Sequence, residues 1–239
     1  MKKVVKFGGS SLASAEQFKK VGDIIRADKS RRYVVPSAPG KRSSSDTKVT
    51  DMLYSCYNLA IREKKFTSLL DEIHARYNEI IDGLNLELSL DHEFDMIREN
   101  FGKKIGRDYA ASRGEYLNGI IMANYLGFCF IDAAEVIRFH EDGSLDDEKT
   151  NELLSLRLEG EEFAVIPGFY GAKEDGTIVT GKTSSLLGAS AAVLLNAIKV
   201  LGEIPHDTHL IAPSAIEPIQ TLKTTYLGSK NPRLHTDEV

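Results

Sequence analysis

The run Lys6-Phe7-Gly8-Gly9-Ser10-Ser11 places an ammonium group beside two successive glycines. Without Cβ atoms, glycine amides can approach a ligand closely and adopt conformations that other residues resist. Successive N–H groups in such a turn form a concavity for anions, strengthened where a helix follows, and the lysine adds charge that phosphate oxygens can use. The same residues also read as a plain turn after a buried strand. A second group, Pro36-Ser37-Ala38-Pro39-Gly40-Lys41-Arg42, fixes the backbone with two prolines and offers the Ser37 hydroxyl. It continues through Ser43-Ser44-Ser45 to Thr47, Thr50 and Asp51. It reads as a solvated flap at a site or as an ordinary surface loop. In a third, Ser112-Arg113-Gly114-Glu115, the arginine can clamp a carboxylate and the glutamate can accept from an ammonium group, a pairing that suits an amino acid. The competing reading is a charged i, i+2 pair on a helix that never meets.

Short apolar strands alternating with amphipathic helices must position these groups. Strands are predicted over Lys3 to Phe7, Arg32 to Pro36, Phe128 to Ile131, Phe163 to Pro167, Thr177 to Thr180 and His209 to Ala212. The first helix has Ser14 as N-cap, Gln17 at the capping-box position, and Phe18, Val21, Ile24 and Ile25 as its apolar stripe. Further helices are predicted over Asp51 to Lys64, Thr67 to Leu84, Asp91 to Phe101, Asp108 to Leu126, Asp147 to Leu158, Leu186 to Leu201 and Ser214 to Leu227. In the second of these, Leu70, Ile73, Tyr77, Ile80, Ile81 and Leu84 recur at helical spacing. The alternation predicts an α/β fold, a mostly parallel sheet sandwiched by helices. Its strand carboxyl ends share one edge, where ligands bind in such sheets, so the first two loops face one crevice.

The chain of 239 residues is long enough for a large core, and its net charge of −5 argues against nucleic acid as a partner. No apolar run approaches membrane-spanning length. Cys56 and Cys129 stand far apart in apolar contexts and read as reduced buried thiols, so the expected location is the cytoplasm. His206 and His209 have metal-like spacing but follow Pro205 and have no third ligand nearby, so no metal site is expected. Gly176 to Thr183 satisfies G-x-x-x-x-G-K-T, yet its β-branched interior reads as strand where a phosphate loop needs a turn. Gly181-Lys182 within it can still deliver Lys182 to a phosphate.

Taken with Thr47-Lys48-Val49-Thr50-Asp51 and Val165-Ile166-Pro167-Gly168-Phe169-Tyr170-Gly171, the three groups resemble the aspartokinases of the amino-acid kinase superfamily, over roughly residues 1 to 175. The resemblance implies an amino-acid kinase-like (carbamate kinase-like) fold and the reaction ATP plus L-aspartate to ADP plus 4-phospho-L-aspartate. That reaction is the first step of lysine, threonine and methionine biosynthesis. It implies that Lys6 stabilises the transferring phosphoryl and that the amides of Gly8, Gly9 and Ser10 cradle ATP phosphates. Ser37 faces the same crevice, Thr50 and Glu115 hold aspartate, and Arg113 adjoins them. Mg²⁺ would arrive with the nucleotide, and a homo-oligomer is compatible.

Beyond residue 175 the pattern departs. The family's Ser-Arg-Gly-Gly-Ser-Asp loop is replaced by Gly181-Lys182-Thr183-Ser184-Ser185, and residues 174 to 239 resemble part of a family of uncharacterised bacterial proteins. The expected organisation is a catalytic, aspartate-binding portion over 1–175 and an atypical α/β tail over 176–239. That tail stands in place of the nucleotide-binding half, with no regulatory domain. Two readings stay open: an aspartate kinase, and an inactive truncated or chimeric module that only binds ligand or serves structure.

Overall fold

The computed structural model describes residues 2–141, 144–180, 211 and 213–228. The chain forms two compact units, Met1–Thr180 and Gly181–Val239.

In the first unit, β1 (Lys3–Phe7), β2 (Arg31–Pro36), β3 (Cys129–Phe130) and β4 (Ala164–Val165) form a parallel sheet in the order β1-β2-β4-β3. Side-chain alternation along these strands separates two faces. Val34, Val165 and Phe130 are in register on one face and join the main core, whereas Tyr33, Ala164 and Cys129 are in register on the other. The first face is covered by α5 (Arg107–Leu126), behind which stand α1 (Ala15–Arg26), α2 (Val49–Ile61), α3 (Thr67–Gly83) and α4 (Asp91–Gly102). The second face packs on residues of α6 (Ala133–Val136) and α7 (Asp147–Arg157), including Val136, Leu153 and Leu154. The sandwich expected from the sequence is the observed fold.

β1 corrects one expectation. It is an edge strand, with Lys3, Val4 and Lys6 exposed and only Val5 and Phe7 half-buried against the core. Ser14 does cap α1, accepting from the Gln17 amide at 3.5 Å. Phe18, Val21 and Ile25 are buried, but Ile24 is 48% exposed because its helical angle lies off the stripe they define. Two elements of the described sheet edge were not anticipated as such. A short 3-10 turn spans Gly9–Leu12, and β5 (Tyr170–Ala172) pairs antiparallel with β6 (Ile178–Thr180). Gly176, at φ +83°, lies in the turn of that hairpin, where the Thr177 amide donates to Asp175 Oδ1 at 2.8 Å. The first half of the P-loop-like run is therefore turn and strand, as its composition indicated.

The described part of the second unit is α8 (Pro213–Thr221), with Pro218 inside it, continuing as a π-helical turn over Leu222–Tyr226. Lys182, His206, His209, the predicted helix over 186–201 and all of the predicted strand over 209–212 except Ile211 lie outside the described residues. Among the described residues no helix is long and apolar enough to cross a membrane. Cys56 and Cys129 are free thiols; Cys56 is buried, which pushes its pKa up to about 12, while Cys129 is half-buried.

Candidate functional site

The loops after β1 and β2 leave the sheet at the same edge and touch backbone to backbone. The Ser37 amide donates to the Phe7 carbonyl at 3.0 Å, and the Gly40 amide to the Gly9 carbonyl at 2.8 Å. Neither Gly8 nor Gly9 has a positive φ, so the glycine pair is not needed for an unusual backbone conformation. Gly9 is needed for proximity: a Cβ there would lie 2.7 Å from the Ala38 carbonyl oxygen. Gly8 has open space where its Cβ would stand, which leaves that face of the turn clear for a ligand.

These loops, the start of α2 and the middle of α5 enclose a cavity of about 480 Å³. Gly9 and Ser10 line it from the first loop, Ser37 to Lys41 from the second, Lys48 and Thr50 from α2, and Glu115 from α5. The approach of α5 depends on Gly114, where a Cβ would lie 2.7 Å from that of Ala38. Glu115 is 8% exposed and accepts from the Ala38 amide through Oε1 at 3.2 Å. Its Oε2 is buried with no hydrogen-bond partner among the described residues. Burial raises the carboxyl pKa to about 7, against opposing pulls that include the Ala38 amide and the Lys6 charge. One buried carboxylate with a free oxygen thus faces a rim that carries Lys41, Lys48 and the N-terminus of α2, which no side chain caps.

The second loop is braced from behind. Arg76, only 4% exposed, donates to the Thr47 carbonyl at 2.6 Å and to the Gly40 carbonyl, and pairs with Asp46 at 3.1 Å. Arg42 bonds the same carboxylate, and with the neighbouring amides it holds Asp46 well below the usual carboxylate range. On α5, Asn118 donates to the Ser37 carbonyl at 2.6 Å.

The structure brings Gly9, Ser10, Ser37, Thr50 and Glu115 together around one cavity. Lys6 and Gly8 do not line it, although the Lys6 charge acts on Glu115. Arg113 is placed elsewhere. It lines a different cavity, because two residues along a helix turn the side chain by roughly 200°. Sequence reasoning missed Lys41 and Lys48 as lining groups and Arg76 as the brace. Arg76 did leave a signal: it falls three residues after Ile73 and four before Ile80, on the apolar stripe of α3. Phe169, with φ +79° and 43% exposed, follows β4 in a left-handed conformation that nothing in its residue type announces.

A parallel sheet sandwiched by helices, with a cavity at the carboxyl edge of its strands, places the protein in the α/β class, in which ligands bind at that edge. The model of the Amino acid kinase family matches residues 1–201, and the chain belongs to that family. Aspartate kinase from Clostridium acetobutylicum is similar in structure, with 44% sequence identity and a TM-score of 0.74 over 80% of this chain and 44% of that one. E. coli aspartokinase III in complex with aspartate and ADP shares the fold at 22% identity, with a TM-score of 0.62 over 83% of this chain and 47% of that one.

The carboxyl-terminal part has different relatives. Residues 172–239 match the C-terminal model of a domain of unknown function, DUF1846. A UPF0371 protein of Corynebacterium urealyticum is 56% identical over 91 residues, 38% of this chain and 18% of that protein. Another, from Corynebacterium aurimucosum, is 69% identical over 65 residues, 27% of this chain and 13% of the relative. The chain therefore joins segments of two families, and it spans less than half of the similar kinase structures and less than a fifth of these curated relatives.

Proposed function

We propose that the first unit is the acceptor-binding part of a cytoplasmic aspartate kinase, which transfers the γ-phosphoryl group of ATP to the β-carboxylate of L-aspartate. The observation that carries this reading is the buried, half-satisfied Glu115 carboxylate in a cavity otherwise rimmed by positive charge. An acceptor's ammonium group would take the free Oε2, and Thr50 and Ser37 would offer hydroxyls to its carboxylates. The acceptor carboxylate is already a nucleophile, so no general base is needed. Its oxygen attacks the γ-phosphorus, the bond to the β,γ-bridging oxygen breaks, and ADP leaves with that electron pair. Lys6 would offset charge on the transferring group, and the amides of Gly8, Gly9 and Ser10 would hold nucleotide phosphates. Lys182 is a candidate for the same phosphates.

Among the described residues no group of three or more His, Cys, Asp or Glu side chains could hold a metal ion. In this proposal Mg²⁺ would be carried by the nucleotide's phosphate oxygens and water, where it would neutralise phosphate charge. The clear space at Gly8 and the Lys6 ammonium, unpaired among the described residues, fit an incoming phosphate.

ADP release coupled to L-aspartate tests the proposal. Lys6→Ala is expected to lower turnover by about a hundred-fold or more, with little change in KM for aspartate. Aspartate-independent ADP release, or turnover unaffected by Lys6→Ala, would overturn it. The UPF0371-like tail favours a second reading, an inactive ligand-binding module. Its mark would be a rise in Tm with aspartate or ATP and no turnover.

A further inference from the structure

Arg113 does not line the cavity that holds Glu115, and its own surroundings are unusual. The side chain is 7% exposed, and its guanidinium lies 4.6, 4.3 and 5.6 Å from the rings of Tyr109, Tyr116 and Tyr170. Its only hydrogen-bond acceptor among the described residues is the neutral Ser112 hydroxyl, reached by Nε at 3.1 Å and Nη2 at 3.0 Å. No described carboxylate comes within ion-pair distance. A buried cation without a counter-charge is costly, and aromatic faces offset only part of that cost. Nη1 is left without a partner among the described residues, and the residue lines a cavity of about 630 Å³.

Asp132 lines the same cavity and is held in place on one side only. Its Oδ1 accepts from the Tyr170 hydroxyl at 2.6 Å and the Ala134 amide at 3.0 Å, while Oδ2 has no donor among the described residues. The cavity thus carries one fixed cation and one fixed anion, each with a free hydrogen-bonding atom, that do not pair with each other. Two arginines and three aspartates line it altogether, Arg107, Asp108 and Asp175 completing the set. A phosphate dianion would meet net negative charge, and a simple cation would leave Arg113 uncompensated. A zwitterion satisfies both ends.

We propose that this cavity is a second small-molecule site, separate from the Glu115 cavity, that binds an α-amino acid. Its carboxylate sits on Arg113 and its ammonium group on Asp132.

Thermal denaturation of the full chain, with the common L-α-amino acids added one at a time, tests this. The proteins compared are wild type, Glu115→Gln, Arg113→Gln and Ala134→Met. At least one amino acid should raise the Tm of wild type and of Glu115→Gln alike. Its decarboxylated amine should not. Arg113→Gln should weaken the apparent affinity about ten-fold or more. Ala134→Met, which fills the cavity without removing a charge, should abolish the shift. The site is refuted if no amino acid stabilises Glu115→Gln, or if the shift survives Ala134→Met undiminished. Should Arg113→Gln not fold, Ala134→Met decides alone. Aspartate-dependent turnover reads the Glu115 cavity independently, so failure of either proposal is distinguishable from failure of the other.

Discussion

Glu115 sits where burial and nearby positive charge oppose each other, and burial wins, leaving the carboxyl near pKa 7 against an ordinary 4.5. The folded state therefore binds this proton more tightly than the unfolded chain. The associated stability is fully present below about pH 4.5 and is lost as pH rises through about 7, an effect on the order of 3 kcal/mol. Glu115→Gln should remove that dependence, so urea melts of wild type and variant should diverge between pH 5 and pH 8. An ammonium group binds only the ionised form, so KM for aspartate should fall as pH rises through about 7. Binding near neutrality should release a proton, visible by calorimetry in buffers of different ionisation enthalpy. A flat KM profile between about pH 6 and 8 would remove Glu115 from the acceptor site. The residue types at Ser37, Thr50 and Glu115 were legible because each lies in a motif of recognisable order. For Arg113 and Glu115 the residue types suggested one clamp while their i, i+2 spacing suggested a pair that never meets; helix geometry decides for the second, sending them into different cavities.

At the scale of elements, the cavity depends on a loop that is tied both within itself and to α3. Within Gly40 to Thr47, Arg42 bonds Asp46, while Arg76 from α3 holds the Thr47 and Gly40 carbonyls and the same carboxylate. Arg76→Met keeps the bulk and removes the donors, leaving Asp46 without its buried partner. A loss of about 3 kcal/mol in urea unfolding is expected, with faster amide exchange across residues 41 to 47. A change below about 1 kcal/mol, with exchange unaltered, would show the loop to be self-supporting. Most of the described long helices were readable to within about a residue because helical periodicity is local. However, α2 begins two residues and ends three residues before its expected bounds, and the four-residue α6 was not anticipated. The strands were less readable. β3 and β4 are each two residues long, too short for a period to declare itself. The edge position of β1 is a fact of pairing, and Val-Val beside Phe7 looks the same on an edge as in the centre.

For the whole molecule, the main core draws on residues from Leu12 to Val165, all within the first unit. Residues 1–180 made alone should unfold in one cooperative transition, with circular dichroism and tyrosine fluorescence coinciding. Separate midpoints would show that the core needs the remainder of the chain. The family of this unit was legible because three motifs occur in order at family spacing. The join to a second family was legible both as a departure from that order and in the resemblance of residues 174 to 239 to a family of uncharacterised bacterial proteins, which the match over 172–239 bears out.

The strand order has a temporal consequence. β4 lies between β2 and β3, yet it is the last of the four to be synthesised. On the ribosome, β1 and β2 can associate early around α1, and the cavity-forming loops emerge with them. β3 must wait without a neighbour until residues 164 and 165 arrive to bridge it to β2. Translation past that point, rather than local propensity, sets when the sheet can close.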